Sequence, residues 1–293
     1  MEQNYKIDLH MHTTVSDGTD TPEEILAHVK EAGIALFAVT DHDAVKAGRI
    51  IPALLAEGDP AFLTGAEFSC RDEEGKYHIL GYGYDPDSEP IRKLVEIGHG
   101  LRMGKVMARL EFLEKEFGFT FPKTDLDWLF AQDNPGKPHI ANLMVKLGYV
   151  ETKERAIKDF INRIRFRTEY IRPEQAIEAI LGGGGIPVLA HPSYGDGDQL
   201  ILGGEMETRL RRLMELGLQG VEAFYSGFTP RMRREVLGFA ERFGLYVTAG
   251  SDYHGKNKLI DLADTGLDTA AEWPEGLKRF LKDTEKKQKK HEV

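Results

Sequence analysis

Short apolar runs alternate with longer segments whose apolar positions recur every three to four residues along most of this chain. The short runs read as β-strands at Ile7–His10, Leu36–Asp41, Ala61–Phe68, Tyr77–Tyr84, Ile186–His191, Gly220–Tyr225 and Leu245–Asp252. The longer segments read as amphipathic helices. Thr21-Pro22-Glu23-Glu24 opens one, with Thr21 as N-cap and Pro22 at the first helical position. Its apolar face is Ile25, Leu26, Val29 and Ala32, and Gly33 ends it. A second runs over Arg233–Phe243 and closes at Gly244. Strand–helix alternation of this kind predicts a parallel sheet or a barrel. Asp72-Glu73-Glu74-Gly75 predicts a hairpin turn between the third and fourth strands, a local departure from that repetition.

The alternation stops near Pro90 and resumes at Gly182. Amphipathic patterns at Leu101–Phe117, His139–Leu147 and Lys153–Arg165 lie between, and the stretch is too long for a plain loop. The expected organisation is a discontinuous barrel over 1–98 and 182–285. A helical insertion over 99–181 would form a substrate cap, and 286–293 would be a charged tail. Gly182-Gly183-Gly184-Gly185 looks like a phosphate-cradling loop. It precedes a strand and opens no helix, so it reads as a helix-to-strand turn.

Composition narrows the class. The 293 residues carry 41% hydrophobic and 29% charged side chains, an ordinary soluble balance. No apolar run approaches the ~20 residues of a membrane span. The first residues lack the apolar core of a secretion signal. The lone Cys70 excludes an internal disulfide and reads as a small buried residue, so the expected compartment is the cytoplasm. A net charge of −10 argues against stable binding of duplex nucleic acid. From Leu101 to Arg172, however, 14 Lys and Arg face 10 Asp and Glu. A basic segment on an acidic body suits a phosphate-bearing ligand, or is an ordinary solvated helical surface.

Six of the ten histidines sit beside carboxylates at or near predicted strand ends. The fragments are His10-Met11-His12, Thr40-Asp41-His42-Asp43, Glu67 with His78, His191-Pro192 and Ser251-Asp252-Tyr253-His254. In a strand, residues i and i+2 share a face, so His10 converges with His12 and Asp252 with His254. In a β/α barrel the C-terminal strand ends surround one mouth. With Asp17 from the loop after the first strand, nine potential ligands meet there: His10, His12, Asp17, His42, Glu67, His78, His191, Asp252 and His254. Imidazole and carboxylate together suit divalent first-row metals. Nine donors exceed one coordination sphere, and a bridging carboxylate such as Glu67 would let two or three ions share them.

This ordered set, with Ser16-Asp17-Gly18 and Ala190-His191-Pro192, resembles the four motifs of the PHP (polymerase and histidinol phosphatase) family. The resemblance spans nearly the whole chain outside the insertion. It implies an α/β fold, a distorted (β/α)7 TIM-like barrel, and two or three divalent ions of manganese, iron or zinc. It implies one ion on His10, His12, Glu67 and Asp252, a second on Glu67, His78 and His191, and a third on Asp17, His42 and His254. Asp17 stands where several three-metal relatives carry histidine. The insertion and the Thr-Val-Ser-Asp-Gly-Thr start are most similar to the 3′,5′-nucleoside bisphosphate phosphatase branch, which includes a 5′→3′ exoribonuclease acting on short RNA.

The expected activity is hydrolysis of a phosphate ester by a metal-activated hydroxide. The substrate would be a nucleoside 3′,5′-bisphosphate, losing its 3′-phosphate, or a short oligoribonucleotide trimmed 5′→3′. Asp17, His42 and His254 would serve the leaving oxygen, through a third ion or a protonated histidine. Arg102, Lys137 and His139 would hold the second phosphate, Lys137-Pro138-His139 doing so at a helix N-terminus. Tyr225 would stack on a base or pack as a partly buried aromatic. The competing readings are a histidinol-phosphate phosphatase and a non-catalytic metal-binding module.

Overall fold

The computed structural model describes residues 5–166, 169–196 and 199–291. The barrel opens with strand β1 (Lys6–Asp8), helix α1 (Pro22–Glu31), β2 (Ile34–Phe37), α2 (Ala47–Leu54), β3 (Ala61–Phe62), β4 (Gly65–Asp72) and β5 (Gly75–Tyr82). Five helices follow: α3 (Glu89–Phe117), α4 (Lys123–Phe130), α5 (Lys137–Lys146), α6 (Lys153–Arg155) and α7 (Pro173–Gly182). A π-helical turn at Ala156–Phe160 and a 3-10 turn at Ile161–Arg163 continue α6. The barrel then resumes with β6 (Ile186–Leu189), α8 (Gly203–Glu215), β7 (Gly220–Tyr225), α9 (Pro230–Phe243), β8 (Tyr246–Gly250) and α10 (Glu275–His291). Among the described residues, no helix is long and apolar enough to cross a membrane.

Local chemistry sets these elements. Thr21 accepts the Glu24 N–H while the Glu24 side chain accepts the Thr21 N–H, a capping box that starts α1. The Asp72 carboxylate accepts the N–H groups of Glu74 and Gly75, which turns the β4–β5 hairpin. Gly75 takes φ 144°, open to glycine and costly to other residues.

Ladders run β1–β2–β3 and β4–β5–β6–β7–β8, parallel except on either side of β5. Backbone bonds from Leu9 to Ala249, Asp252 to His10 and His12 to Tyr253 join the continuation of β1 to β8. Glu67 N–H to Asp41 and Asp43 N–H to Glu67 join the continuation of β2 to β4. The two ladders therefore close into a distorted (β/α)7 TIM-like barrel. The run expected as one strand over Ala61–Phe68 is broken at Leu63-Thr64, so β3 and β4 occupy one barrel position.

Leu9, Ala38, Leu63, Leu80, Tyr82, Ile186, Val188 and Ala190 fill the barrel interior, and Phe280 of α10 packs edge-on to Tyr82 at 5.4 Å. The outer helices bury a second layer. The middle of the chain has its own core, from Val106 and Leu113 to Ile161. α7 lies in the segment expected to be insertion, yet Ala176, Ile177 and Ile180 pack with the barrel. α3 starts twelve residues before the expected Leu101, at Glu89, with Pro90 in its first turn. Lys286 to His291, expected as part of a charged tail, continue α10, and buried Leu277, Phe280 and Thr284 anchor that helix. Glu292 and Val293 of that segment lie outside the described residues.

Candidate metal centre

The nine candidate ligands meet at the C-terminal mouth of the barrel. Glu67, in β4, is at their centre. Its register partner on β5 is Leu80, and His78 lies two residues on, diagonally on the same face. Glu67 Oε1 is 2.8 Å from His78 Nδ1 and 3.1 Å from His191 Nε2. Glu67 Oε2 faces His10 Nε2 at 3.4 Å, His12 Nε2 at 3.3 Å and His42 Nδ1 at 3.1 Å. Asp252 Oδ1 lies 3.5 Å from His10 Nε2, 3.3 Å from His12 Nε2 and 3.4 Å from His254 Nδ1. Asp17 Oδ1 is 3.4 Å from His254 Nε2, and Asp17 Oδ2 is 4.0 Å from His42 Nε2.

These residues fit divalent ions. The buried atoms His10 Nε2, His12 Nε2 and His42 Nδ1 have no hydrogen-bond partner. An unpaired buried nitrogen is costly, so a partner is implied. Two ligand atoms bonded at ~2.1 Å to one tetrahedral ion lie ~3.4 Å apart, which is the spacing of these nitrogens from the carboxylate oxygens. Ligand atoms group as His10, His12 and Glu67; as His42, Glu67 and His78; and as His12, Asp17, His42 and His254.

Backbone strain concentrates here. Asp43, His191 and Asp252 take φ of 50°, 28° and 60°. Each such conformation costs ~1–3 kcal/mol outside glycine and persists only where the surroundings enforce it. Asp252 N–H bonds the His10 carbonyl at 2.7 Å.

Charge in the pocket is compressed. Burial alone would raise the Glu67 carboxyl, but His78, His42 and His10 hold it well below the usual carboxylate range. Asp252 is held down likewise by His10 and His254 against burial, and Asp17 by His42 and His254. Burial lowers His78 to about 4. His12 rises to about 9 because Asp252 and Glu67 outweigh its burial. Bound cations would replace these protons.

Residues outside the nine support the ligands, and one of them, Glu222, was absent from the sequence reading. Glu222 in β7 is fully buried, with Oε1 2.8 Å from His10 Nδ1 and Oε2 accepting the His191 N–H at 2.8 Å. A carboxylate inside the apolar strand Gly-Val-Glu-Ala-Phe-Tyr was the available signal. Asp41 accepts Thr13 N–H, Thr13 Oγ1–H and Ser16 Oγ–H, fixing the loop that carries Asp17. Tyr225 is buried, and its hydroxyl donates to Asp252 Oδ2 at 2.9 Å.

The centre opens into a cleft. A chamber of about 270 Å³ at the ligands shares Asp17, His42, His78 and Pro138 with a neck of about 230 Å³. The neck is walled by Lys76, Arg102, Lys105, Arg109 and Lys137. Lys76, Arg109, Lys137 and Tyr170 carry it on to a chamber of about 650 Å³ that adds Arg71, Arg165 and Phe166. The structure thus brings Arg102 and Lys137 to the cleft. Arg102 is also paired with Asp43 Oδ2 at 3.2 Å. His139 does not line the cleft; its Nδ1 accepts the Gly136 N–H at 3.1 Å and caps α5. Burial, crowding by Arg102, Arg109 and Lys76, and the opposing pull of Asp43 leave Lys105 at about 7. Burial with Lys76 and Arg109 likewise leaves Lys137 at about 7, against Asp196.

A distorted barrel with an imidazole and carboxylate cluster at its mouth defines a class of metal-dependent hydrolases. Residues 8–286 match the PHP domain, and the chain belongs to that family. It is similar to a 5′-3′ exoribonuclease of Haemophilus influenzae, 27% identical over 89% of this chain and 96% of that one. A 3′,5′-nucleoside bisphosphate phosphatase of Chromobacterium violaceum is 28% identical over 85% and 87%. A phosphoribosyl 1,2-cyclic phosphate 1,2-diphosphodiesterase of Eggerthella lenta is 29% identical over 85% and 94%. Among solved structures, a protein assigned as a metal-dependent phosphoesterase of Bifidobacterium adolescentis superposes with TM-score 0.76 at 30% identity, covering 88% of this chain and 91% of that one. The chain is an enzyme, a metal-dependent phosphoesterase.

Proposed function

We propose that this enzyme removes the 3′-phosphate of nucleoside 3′,5′-bisphosphates. The observation that carries the reading is the cationic neck of Lys76, Arg102, Lys105, Arg109 and Lys137 opening directly onto the ligand cluster. Among the described residues, Asp43 pairs with Arg102, Asp17 lines the neck and Asp196 acts on Lys76 and Lys137, so a lone phosphate at the metal centre leaves the neck with more cations than counter-charges. A second phosphate on the same small molecule supplies another. Histidinol phosphate, which carries an amine there, does not.

His10, His12, Glu67 and Asp252 would hold one divalent ion, with Glu67, His78 and His191 holding a second. Such ions supply an activated water and neutralise phosphoryl charge. Glu222 fixes the His10 ring so that Nε2 faces inward. Asp17, His42 and His254 line the chamber at the ligands, and Asp17 and His42 also line the neck. They would complete a third ion site, or His254 Nε2, steadied by Asp17 Oδ1, would pass a proton to the leaving oxygen. Metal stoichiometry separates these two versions: three ions per chain assign the trio as ligands, and two assign it as the proton-donating set.

The 650 Å³ chamber beyond the neck, with Phe166 and Tyr170 beside Arg71 and Arg165, favours a second reading, 5′→3′ trimming of short RNA. Aromatic faces and arginines together suit single-stranded bases and phosphates.

The test is product analysis with metal-analysed enzyme on nucleoside 3′,5′-bisphosphates, 5′-phosphorylated short RNA, a phosphoribosyl cyclic phosphate and histidinol phosphate in parallel, reading free phosphate from the monoesters, mononucleotides from the RNA and the opened monoester from the cyclic phosphate. Turnover restricted to histidinol phosphate, or to the cyclic phosphate, overturns the reading.

A further inference from the structure

Asp252 presents its two oxygens to different surroundings. Oδ1 faces His10, His12 and His254. Oδ2 accepts the Tyr225 hydroxyl at 2.9 Å and contacts the ammonium of Lys258. The Lys258 Nζ also reaches the Tyr225 oxygen at 3.2 Å. An ammonium has three donors and no acceptor. Two are spent on Asp252 and Tyr225, so one remains.

That remaining donor is well placed. Lys258 lines the chamber at the ligand cluster and, among the described residues lining it, is the sole lysine or arginine. The five neck cations reach the next compartment, not this one. The side chain keeps 32% of its surface exposed, so the ammonium is not sealed behind Asp252. The loop that carries it is tied down. Asn257 donates to the Asp17 carbonyl at 2.8 Å, Lys153 of α6 donates to Asn257 Oδ1 at 2.6 Å, and Lys256 N–H reaches Thr19 Oγ1 at 2.9 Å.

We infer that Lys258 is a catalytic residue whose free N–H donates to a non-bridging oxygen of the phosphoryl group being transferred. The assignment rests on the reading of the ligand cluster as a phosphoesterase centre. No bond to Lys258 forms or breaks; it supplies positive charge where the transition state concentrates negative charge, and a charge-assisted hydrogen bond fixes the phosphoryl orientation. The neck cations, on this assignment, recognise the second phosphate only.

The experiment compares wild type, Lys258→Met, Lys258→Arg and Lys256→Met, each loaded with the same metal and analysed for bound metal. Binding of inorganic phosphate is measured by calorimetry, and kcat/KM with a bisphosphate and with p-nitrophenyl phosphate. Lys258→Met should keep its metal, bind phosphate about 10-fold more weakly, and lose about 100-fold in kcat/KM on both substrates. Lys258→Arg should recover part of each loss. Lys256→Met, which removes the same charge from an exposed position of the same loop, should bind phosphate as wild type does. The assignment is overturned if Lys258→Met stays within twofold of wild type, if its losses simply follow lost metal, or if Lys256→Met weakens phosphate binding equally. A wild type that binds phosphate yet hydrolyses no ester sinks the phosphoesterase reading and leaves the Lys258 contact to be judged on binding. One that binds no phosphate sinks both.

Discussion

Glu222 Oε1 and His10 Nδ1 lie 2.8 Å apart with both side chains fully buried. A carboxylate only accepts, so Nδ1 carries a proton, and with an ion bound the Nε2 lone pair would be the one turned to it beside Glu67 and Asp252. The second Glu222 oxygen accepts the His191 N–H, so one buried side chain sets two ligand positions.

Glu222→Gln keeps the shape and removes the acceptor charge. Loss of such a supporting carboxylate typically costs ~10–100-fold in metal affinity or activity. The variant should be purified with less metal, and added metal should recover most turnover. A variant that retains wild-type metal content through chelator titration would contradict the role assigned to Glu222.

Gly250 ends β8 directly beneath this pair. A Cβ there would sit 2.2 Å from His10 Cβ and 2.6 Å from Glu222 Oε1. Neither neighbour has room to withdraw, because both are buried and hydrogen-bonded. Gly250→Ala should therefore cost ~1–3 kcal/mol by overpacking and displace His10, lowering Tm and metal content together. Wild-type metal binding by this variant would show that the His10 position tolerates the shift.

Much of this site was legible because its chemistry interrupts a strong pattern. Histidines and carboxylates at the ends of apolar runs stood out, and the barrel drew them to one mouth. Glu222 was missed because a single acid inside a strand reads equally as a solvent-facing position, and only the closed barrel shows that it points inward. Lys76 follows the hairpin glycine and reads as a surface cation, yet the insertion turns it into a cleft wall. His139 followed the expected helix start, but its ring nitrogen is spent on the α5 cap. The start of α3 was set too late because, although Ile91, Leu94 and Gly98 are buried at helical spacing, a glycine holds one of those inward positions and marks no apolar face. Each miss is a matter of which tertiary neighbour a side chain meets, which periodicity does not encode.

Arg102 has two claims on it, Asp43 and substrate. Its pair with Asp43 is nearly buried, and Asp43 Oδ1 also accepts the Ser69 N–H. Arg102→Ala strands that carboxylate, and breaking a buried pair typically costs ~3–5 kcal/mol. The double variant Asp43→Asn/Arg102→Ala should regain much of that stability. It should not regain kcat/KM on the bisphosphate, expected to fall at least ~10-fold, while p-nitrophenyl phosphate is spared. Recovery of both in the double variant would reduce Arg102 to a structural partner of Asp43.

Lys105 and Lys137, each at about 7, give the cleft a pH dependence whose sign follows from linkage. Unfolded, both titrate near the ordinary lysine value of ~10.4. Between about pH 7 and ~10.4 the unfolded chain thus binds protons that the folded chain does not, so these lysines make the free protein less stable as pH falls through that window. A polyanion reverses the balance by favouring the charged ammonium groups. Above pH 7 the substrate phosphates are already largely dianionic, so any change in their affinity comes from the protein. A non-hydrolysable bisphosphonate analogue should bind at least about tenfold more weakly at pH 9 than at pH 7, with proton uptake visible as buffer-dependent calorimetric heat. Replacing both lysines with glutamine should weaken binding at pH 7 and flatten the profile. An unchanged profile in that double variant would assign the dependence to other groups and remove Lys105 and Lys137 from the second phosphate site.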